Sequence, residues 1–249
     1  MRLVIIVIIT IFRRSSTHDR TAATAAAGRR AGMMIYESIG GGKKINAFVK
    51  EHNLGWCLAP DNVMNPNGQK YFHDCGTFHA EIHQKPWEVN PFKRLLAKYP
   101  DYDFVVYPDK PQINETKDKK LERKLAIQSL TMSIKYFDDI PGPAYLAVQN
   151  GMMQCDIIPF MDKIDGLFVG GDPCWKIKTA LDWTNLAHLY KKKCHVGRIN
   201  SYPQFRFMHY CGVDSVDGST ASRHDDPSEI KKYFDHLKYQ TQLQQEPRP

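Results

Sequence analysis

From position 33 onward, short hydrophobic runs alternate with longer amphipathic stretches. Eight of the runs have the length and the β-branched or aromatic content that are typical of strands, and they cover residues 34–37, 54–59, 71–74, 104–107, 145–149, 166–170, 194–197 and 213–217. The stretches between them predict helices, most clearly over residues 43–52, 91–99, 118–137, 176–192 and 202–211. In the longest stretch, one predicted face consists of Leu121, Leu125, Gln128 and Met132. Strands that alternate with helices indicate a parallel sheet.

Eight strand–helix units within residues 33–249 predict an α/β fold, a compact (β/α)8 TIM-type barrel near the lower end of the size range of that fold. An open doubly wound sheet is the competing architecture, because the number of strands does not decide whether a sheet closes. Neither an internal repeat nor a linker interrupts residues 33–249, so we expect a single domain. Residues 226–229, Asp-Pro-Ser-Glu, form a helix-start pattern and predict a last helix.

The first 32 residues have a different pattern. Residues 3–12 are apolar and lie between basic residues, but a membrane-spanning helix needs about 20 apolar residues. This segment and the alanine-rich tract after it resemble a secretory signal peptide. However, Met33 and Met34 directly precede the first predicted strand. We therefore expect residues 1–32 to be an extension of the domain, either disordered or the product of an upstream start, and rank secretion second.

Composition narrows the function classes. The 16 Gly and 15 Pro have no period, which excludes collagen-like and low-complexity chains. The formal net charge of +7 favours a polyanionic partner such as nucleic acid. The six cysteines are scattered without a C-x-x-C pair, which argues against a structural zinc site. Unpaired cysteines are typical of a reducing compartment, so we expect a cytoplasmic protein without a membrane partner.

Polar and glycine-rich residues follow six of the eight predicted strands. They include Asp74, Asp109, Gln149, Gly170, Gly171, Arg198 and Asp217. In a (β/α)8 barrel the C-terminal strand ends and the loops after them form the active face, so these side chains are predicted to meet at one rim. Taken singly, each Asp also fits a helix cap or a turn, and each Gly a tight turn.

Two other sequence patterns are weaker evidence of a functional site. Residues 40–44, GGGKK, lack the spacing of a phosphate-binding P-loop, and we interpret them as a flexible first loop. His73, His79 and His83 lie near Asp74, but their spacing does not match a metal motif. We expect these histidines to be solvated or hydrogen-bonded and predict no metal site.

The order of the strand-end segments resembles the tRNA-guanine transglycosylase superfamily, whose members exchange guanine for a 7-deazaguanine within a polynucleotide. Residues 73–79, HDCGTFH, resemble the S-D-S-G-G-F-Q motif that carries the acid/base Asp. Residues 212–217, GVDSVD, resemble the G-V-D-M-F-D motif, whose last Asp is the nucleophile. Residues 148–151 and 166–171 are similar to the I-Q-Q-G and G-Y-A-V-G-G segments that hydrogen-bond the base. The resemblance covers roughly residues 54–223.

The resemblance implies a role for each matched residue. Asp217 would be the nucleophile that attacks C1′ and forms a covalent glycosyl ester, and Asp74 would be the acid/base residue. The substrate-binding residues would be Asp109, Gln149, Gly170 and Gly171. No cofactor, neither metal nor ATP, is expected, because one N-glycosidic bond replaces another of similar energy.

Departures from the tRNA enzymes favour a DNA-modifying branch. Those enzymes carry a C-x-C-x-x-C…H zinc site after the nucleophile, whereas this chain has no cysteine beyond Cys211. Residues 74–78 read D-C-G-T-F where the family reads D-S-G-G-F, and residues 217–220 read D-G-S-T. In these respects the chain is more similar to the short DpdA-type transglycosylases of phage and bacterial modification systems, which insert 7-deazaguanines into DNA.

DNA is therefore the expected polymer, with tRNA as the alternative, and a base such as 7-cyano-7-deazaguanine is the expected second substrate. The target nucleotide must leave the base stack, so partner proteins that open the duplex are also expected. Arg198, Arg206 and Arg223 are the predicted phosphate contacts. Two further interpretations remain open. One is a metal-assisted hydrolase that uses the same carboxylates with His73, and the other is a noncatalytic nucleic-acid-binding relative.

Overall fold

Eight parallel strands close into a barrel in the computed structural model, which describes residues 32–38, 40, 42–112 and 116–245. The strands are β1 Met34–Ser38, β2 Gly55–Leu58, β3 Tyr71–His73, β4 Val105–Val106, β5 Ala144–Val148, β6 Gly166–Val169, β7 Lys193–Val196 and β8 Ser215–Gly218. Each strand pairs with the next along the chain, and β1 also pairs with β8. The predicted (β/α)8 barrel is confirmed, and the open sheet is excluded. The predicted extension, residues 1–32, lies outside the described residues except for Gly32.

Helices connect the strands on the outside of the barrel. They are α1 Lys43–Glu51, α2 Thr77–Ile82, α3 Val89–Lys98, α4 Lys119–Ile134, α5 Gln154–Ile157, α6 Pro173–Leu189, α7 Tyr202–Tyr210, α8 Thr220–His224 and α9 Ser228–Gln245, with a 3-10 helix at Ile158–Lys163. Each helix predicted from the pattern is present, with its ends shifted by a few residues. The short helices α2, α5 and α8 were not predicted, because four to six residues carry too few turns for a hydrophobic period.

Aromatic side chains fill the interior of the barrel. Alternate residues of each strand point inward, so six strands or strand ends contribute one ring each, from Tyr36, Phe72, Phe104, Tyr145, Phe168 and His195. Phe104 stacks on Phe72 at 4.6 Å and on Tyr145 at 4.0 Å between ring centroids. Layers of branched aliphatic residues are more usual in such barrels. The packed rings fill the interior of the barrel below the C-terminal ends of the strands.

Helix α4 packs on the barrel through a face that the hydrophobic pattern did not predict. Its buried residues are Glu122, Ala126, Ser129, Leu130 and Ser133. Leu121, predicted on the buried face, is 43% exposed. The serines are buried because backbone groups of the loop after β4 need partners. Ser129 Oγ accepts from the N–H of Lys110 at 3.1 Å, and Ser133 Oγ donates to the carbonyl of Pro108 at 2.9 Å. Helix α4 thereby fixes the loop that carries Asp109.

Helix length and polarity also bear on the membrane question. Among the described helices, none has an apolar stretch long enough to cross a bilayer.

Candidate active site

The C-terminal strand ends bring three predicted acidic residues to one end of the barrel. Asp74 directly follows β3, Asp109 lies in the loop after β4, and Asp217 belongs to β8. The charges of Asp109 and Asp217 both act on the Asp74 carboxyl group. The three side chains therefore lie near one another, although 143 positions separate Asp74 from Asp217 in the sequence.

Asp217 is buried, and each of its carboxylate oxygens accepts a hydrogen bond. Oδ1 accepts from Nε2 of His195 on the neighbouring strand β7 at 2.8 Å. Oδ2 accepts from the backbone N–H of Arg198 at 3.2 Å. The second bond is at the long end of the normal range, so Oδ2 is the less strongly held oxygen.

His195 is fully buried among the aromatic rings of the barrel interior. Its imidazole stacks on Phe168 with ring centroids 5.0 Å apart and lies 5.0 Å from the ring of Phe72. Its Nδ1 lies 2.8 Å from the hydroxyl oxygen of Ser215. When Asp217 is ionised, Nε2 carries the hydrogen and donates it, and Nδ1 accepts from Ser215. The packed rings and these two bonds together fix the orientation of the Asp217 carboxylate.

The carboxyl group of Asp74 has a strongly raised pKa. Burial, followed by repulsion from Asp109, Asp217 and Asp61, raises the pKa of Asp74 from 3.8 to about 7. A hydrogen bond of 2.7 Å from the backbone N–H of Gly76 opposes the shift only in part. At neutral pH the protonated and ionised forms of Asp74 are both well populated, as a residue that gives and takes a proton requires.

Asp109 is buried inside a hydrogen-bond network. Its Oδ1 accepts from the hydroxyl of Thr77 at 2.8 Å, and its Oδ2 accepts from the amide of Gln149 at 2.6 Å. The thiol of Cys75 lies 3.6 Å from Oδ1. Burial raises the pKa of Asp109, whereas these donors and the charge of Arg198 lower it. The network holds the carboxylate still while leaving it acceptor capacity for a further ligand.

The predicted base-binding residues that follow β5 and β6 already have hydrogen-bond partners within the protein. Gln149 is buried, and its Oε1 accepts from the N–H of Gly171 at 2.7 Å. The N–H of Gly170 donates to the carbonyl of Val148 at 2.9 Å within the sheet. The backbone N–H groups of Gly170 and Gly171 therefore already have protein acceptors. A base could use the Gly171 N–H only after displacing the Gln149 side chain.

The glycine at position 170 makes room for that side chain. A Cβ atom there would lie 2.5 Å from Nε2 of Gln149. Gly171 has a φ of +73°, and a Cβ atom at this position would lie 2.3 Å from Oδ1 of Asn150. Both glycines are thus required by a close approach, and Gly171 by its backbone conformation as well.

Arg198, one of the predicted phosphate contacts, lies near the acidic residues, as expected for a residue that follows a strand end. Its guanidinium carbon lies 4.2 Å from the centroid of the Phe78 ring, and its Nη2 donates to the carbonyl of Gly171 at 2.6 Å. The strongest attractive charges on it are those of Asp217 and Asp74. The positive charge of Arg198 therefore offsets part of the negative charge of these carboxylates.

The two other predicted phosphate contacts are exposed. Arg206 lies in α7, with its guanidinium carbon 5.8 Å from the centroid of the Tyr202 ring. Arg223 lies in α8, which follows the C-terminal end of β8, and its charge acts on Glu37. Arg223 is therefore on the same end of the barrel as the acidic residues.

The glycine-rich loop after β1 leads into a helix whose N-terminus is already capped. Oδ1 of Asp225 accepts from the N–H groups of Lys44 and Ile45, both at 3.0 Å. A carboxylate of the chain itself thus occupies the place where a phosphate would bind a helix N-terminus.

The three histidines near Asp74 do not converge. Nε2 of His73 lies 2.8 Å from the carbonyl oxygen of Tyr99, and Nδ1 of His79 lies 2.8 Å from Oδ2 of Asp61. His83 lies beside His79, with ring centroids 4.2 Å apart. Within the described ranges, no group of three or more histidine, cysteine or acidic side chains is arranged to hold a metal ion.

Three residues near the site were missed at the sequence level. His195 carried a usable signal, since it precedes Gly197 by two positions and period-2 alternation points it inward. Glu37 on β1 is buried, accepts from the N–H of Ser222 at 2.9 Å, and has its pKa raised to about 7, mainly by burial. Lys176 is buried in α6, and nothing in the sequence separates it from the solvated lysines of other helices.

Neither a family model nor a curated protein matches this chain.

Proposed function

We propose that this chain is a base-exchange transglycosylase, similar to the tRNA-guanine transglycosylase superfamily. It replaces guanine in a polynucleotide with a 7-deazaguanine such as 7-cyano-7-deazaguanine. DNA is the favoured polymer, and tRNA is the alternative. The observation that carries the proposal is the pairing of Asp217, whose Oδ1 is hydrogen-bonded to His195, with Asp74, whose pKa is raised to about 7, at one end of the barrel. Two carboxyl groups in different environments suit a nucleophile and a proton carrier.

In the first half-reaction Asp217 opens the glycosidic bond. Its Oδ2, the less strongly held oxygen, attacks C1′ of the target nucleoside from the face opposite the base. The C1′–N9 bond breaks, and its electron pair leaves with guanine. Protonated Asp74 supplies the proton that guanine needs to leave as a neutral base. The product is an ester between Asp217 and the sugar.

In the second half-reaction the incoming base displaces the ester. The ionised Asp74 accepts the N9 proton of the 7-deazaguanine, and N9 attacks C1′ as the bond to Oδ2 of Asp217 breaks. The proton count returns to its starting value, and two inversions at C1′ restore the original configuration. A carboxyl group with a pKa near the working pH serves both steps, typically for a 10²–10⁴-fold gain in rate.

Base selection is assigned to the Asp109–Gln149 network. The buried Asp109 carboxylate can accept from the N1–H and the exocyclic amine of a guanine-like edge, and the Gln149 amide can donate to O6. Adenine would leave these buried groups unpaired and would be disfavoured. Because the N–H of Gly170 is bonded within the sheet, its proposed role is to give the Gln149 side chain space.

We assign DNA as the polymer because the sequence motifs depart from those of the tRNA enzymes. The positive net charge of the chain supports contact with the DNA phosphates. The exposed Arg223 beside the strand ends suits a flanking phosphate, and Arg206 a more distant one. Arg198 is reassigned to balancing the charge of the acidic site, because its guanidinium group packs on Phe78 and the charges of Asp217 and Asp74 act on it.

The direct test incubates the purified chain with a labelled 7-deazaguanine and with single-stranded DNA, duplex DNA or tRNA. We expect label in DNA, base release in equal amount, and loss of both in Asp217→Asn. Asp214→Asn is the matched control, because Asp214 precedes the same strand but bonds to His188 and Lys193. Incorporation into tRNA alone would reassign the polymer. Polymer binding without exchange would favour a noncatalytic role, and a hydrolysis that chelators abolish would favour the metal-assisted hydrolase.

A further inference from the structure

Lys176 is a buried lysine on which the charges of the site act. It lies in the first turn of α6, which starts after the turn formed by Gly170 and Gly171, and it is 2% exposed. Lysine is almost never fully buried unless its ammonium group is paired. Its Nζ donates to the carbonyl oxygen of Gly197.

That carbonyl belongs to the peptide group that also holds Asp217. The C=O of Gly197 and the N–H of Arg198 are the two ends of one planar peptide unit. The N–H donates to Oδ2 of Asp217 at 3.2 Å, while the oxygen accepts from Lys176. Since the two groups of a trans peptide point in opposite directions, a cation at the oxygen fixes the direction of the N–H and polarises it toward the carboxylate.

Three charged groups from three different segments act on the ammonium group. Asp217 on β8 and Asp172 at the cap of α6 favour the charged form, and Arg198 after β7 disfavours it. Burial outweighs these partners and lowers the pKa of Lys176 to about 7. The cation is therefore present in mildly acidic solution and is lost as the pH rises above about 7.

We infer that Lys176 is a positioning residue for Asp217: its ammonium group holds the peptide between residues 197 and 198 so that the N–H fixes Oδ2 for attack. The inference rests on the proposed role of Asp217 as nucleophile. Lys176 touches no substrate in this scheme and acts only through the peptide.

The first test needs no activity. In a 15N-labelled protein, the Arg198 amide resonance should shift with pH around 7. Because Asp74 also titrates there, the test uses the Asp74→Asn variant, in which adding Lys176→Met should remove the remaining shift. Hydrogen exchange of the same amide should become at least about tenfold faster, the equivalent of losing one modest hydrogen bond. The amide of Gly197, which donates to Val169 at 3.2 Å, is the internal control. It should keep its exchange rate.

The second test separates positioning from folding. Lys176→Met should slow the formation of the Asp217 adduct on the order of 100-fold, the usual effect of misplacing a reacting group by about 1 Å, without changing KM for the free base. Lys176→Gln, which retains a donor, should recover part of the rate. Lys178→Met, at an exposed position of the same helix, should match the wild type.

The two tests fail in different ways. Wild-type adduct rates in folded Lys176→Met, or an Arg198 amide that titrates unchanged in that variant, would overturn the inference. If Lys176→Met removes its part of the amide titration as expected but the wild-type protein exchanges no base, the positioning geometry is supported and the proposed function is contradicted.

Discussion

Replacing His195 with phenylalanine removes the donor to Asp217 while keeping a flat ring in the barrel interior. His195 is fully buried and stacks on Phe168, so a ring of similar shape fits the same space. Oδ1 of Asp217 loses its 2.8 Å hydrogen bond, and the Ser215 hydroxyl loses its ring partner. The carboxylate is then free to turn away from the position required for attack on C1′.

The magnitude follows from the kind of bond that is lost. A hydrogen bond to a charged group contributes about 1.5–3 kcal/mol. Each 1.36 kcal/mol is a factor of ten in rate, so the adduct should form about 10–150-fold more slowly. A partial return of the rate is expected in His195→Gln, which restores an N–H donor.

The measurement is the single-turnover rate at which the protein becomes covalently attached to a guanine-containing single strand. His188→Phe is the matched control, because His188 bonds to Asp214 at 2.8 Å and is not part of the site. Circular dichroism establishes that both variants are folded. If folded His195→Phe forms the adduct within about twofold of the wild-type rate, well below the change worked out from the lost bond, then His195 does not orient the nucleophile.

Three further predictions address stability and charge. Asp74→Asn should unfold at a higher temperature than the wild type at pH 8, because a pKa raised to about 7 means that ionising Asp74 destabilises the folded chain. This advantage should be lost as the pH falls toward 4. An advantage that grows toward acid pH would contradict the raised pKa. Gly171→Ala should lower the free energy of unfolding, measured by chemical denaturation, by about 1–3 kcal/mol more than Gly212→Ala. Both glycines have a positive φ, but of these two positions only 171 would place the added Cβ atom within 4 Å of other atoms. Equal losses in the two variants would contradict that explanation. Arg223→Ala should reduce the slope of log affinity for DNA against log salt by about 1, whereas Arg198→Ala should leave the slope unchanged, and the reverse result would place Arg198 on a phosphate.

The eight strands and the gathering of polar residues at their ends were predictable from the sequence, because both follow from local features. A strand is marked by a few consecutive apolar residues, and in a parallel barrel all C-terminal ends point the same way. Asp74 and Asp217 are therefore brought to one end by topology alone. The strand pattern did not predict whether the sheet closes into a barrel. The pairing of β1 with β8 in the structure shows that it does.

Features that depend on long-range partners were not predictable. The apolar spacing of α4 favoured a face through Leu121, but the loop after β4 needs hydrogen-bond partners, and Ser129 and Ser133 supply them. Arg198 was expected at the strand ends, but its contacts with the Phe78 ring and the Gly171 carbonyl involve partners that are distant in the sequence. Lys176 is similar in sequence to a solvated helix lysine, and its buried partners, the carbonyl of Gly197 and the charges of Asp217 and Asp172, lie in other segments or follow from the fold.

The central claim is a covalent bond between Asp217 and a sugar carbon, made with Asp74 as the proton carrier. Mass spectrometry of proteolysed protein, after incubation with guanine-containing DNA but no incoming base, tests it most directly. The expected result is an oligonucleotide attached through deoxyribose to the peptide that contains Asp217, formed slowly in Asp74→Asn and released when a 7-deazaguanine is added. A peptide that stays unmodified with both DNA and tRNA, or an adduct that persists in Asp217→Asn, would contradict the claim.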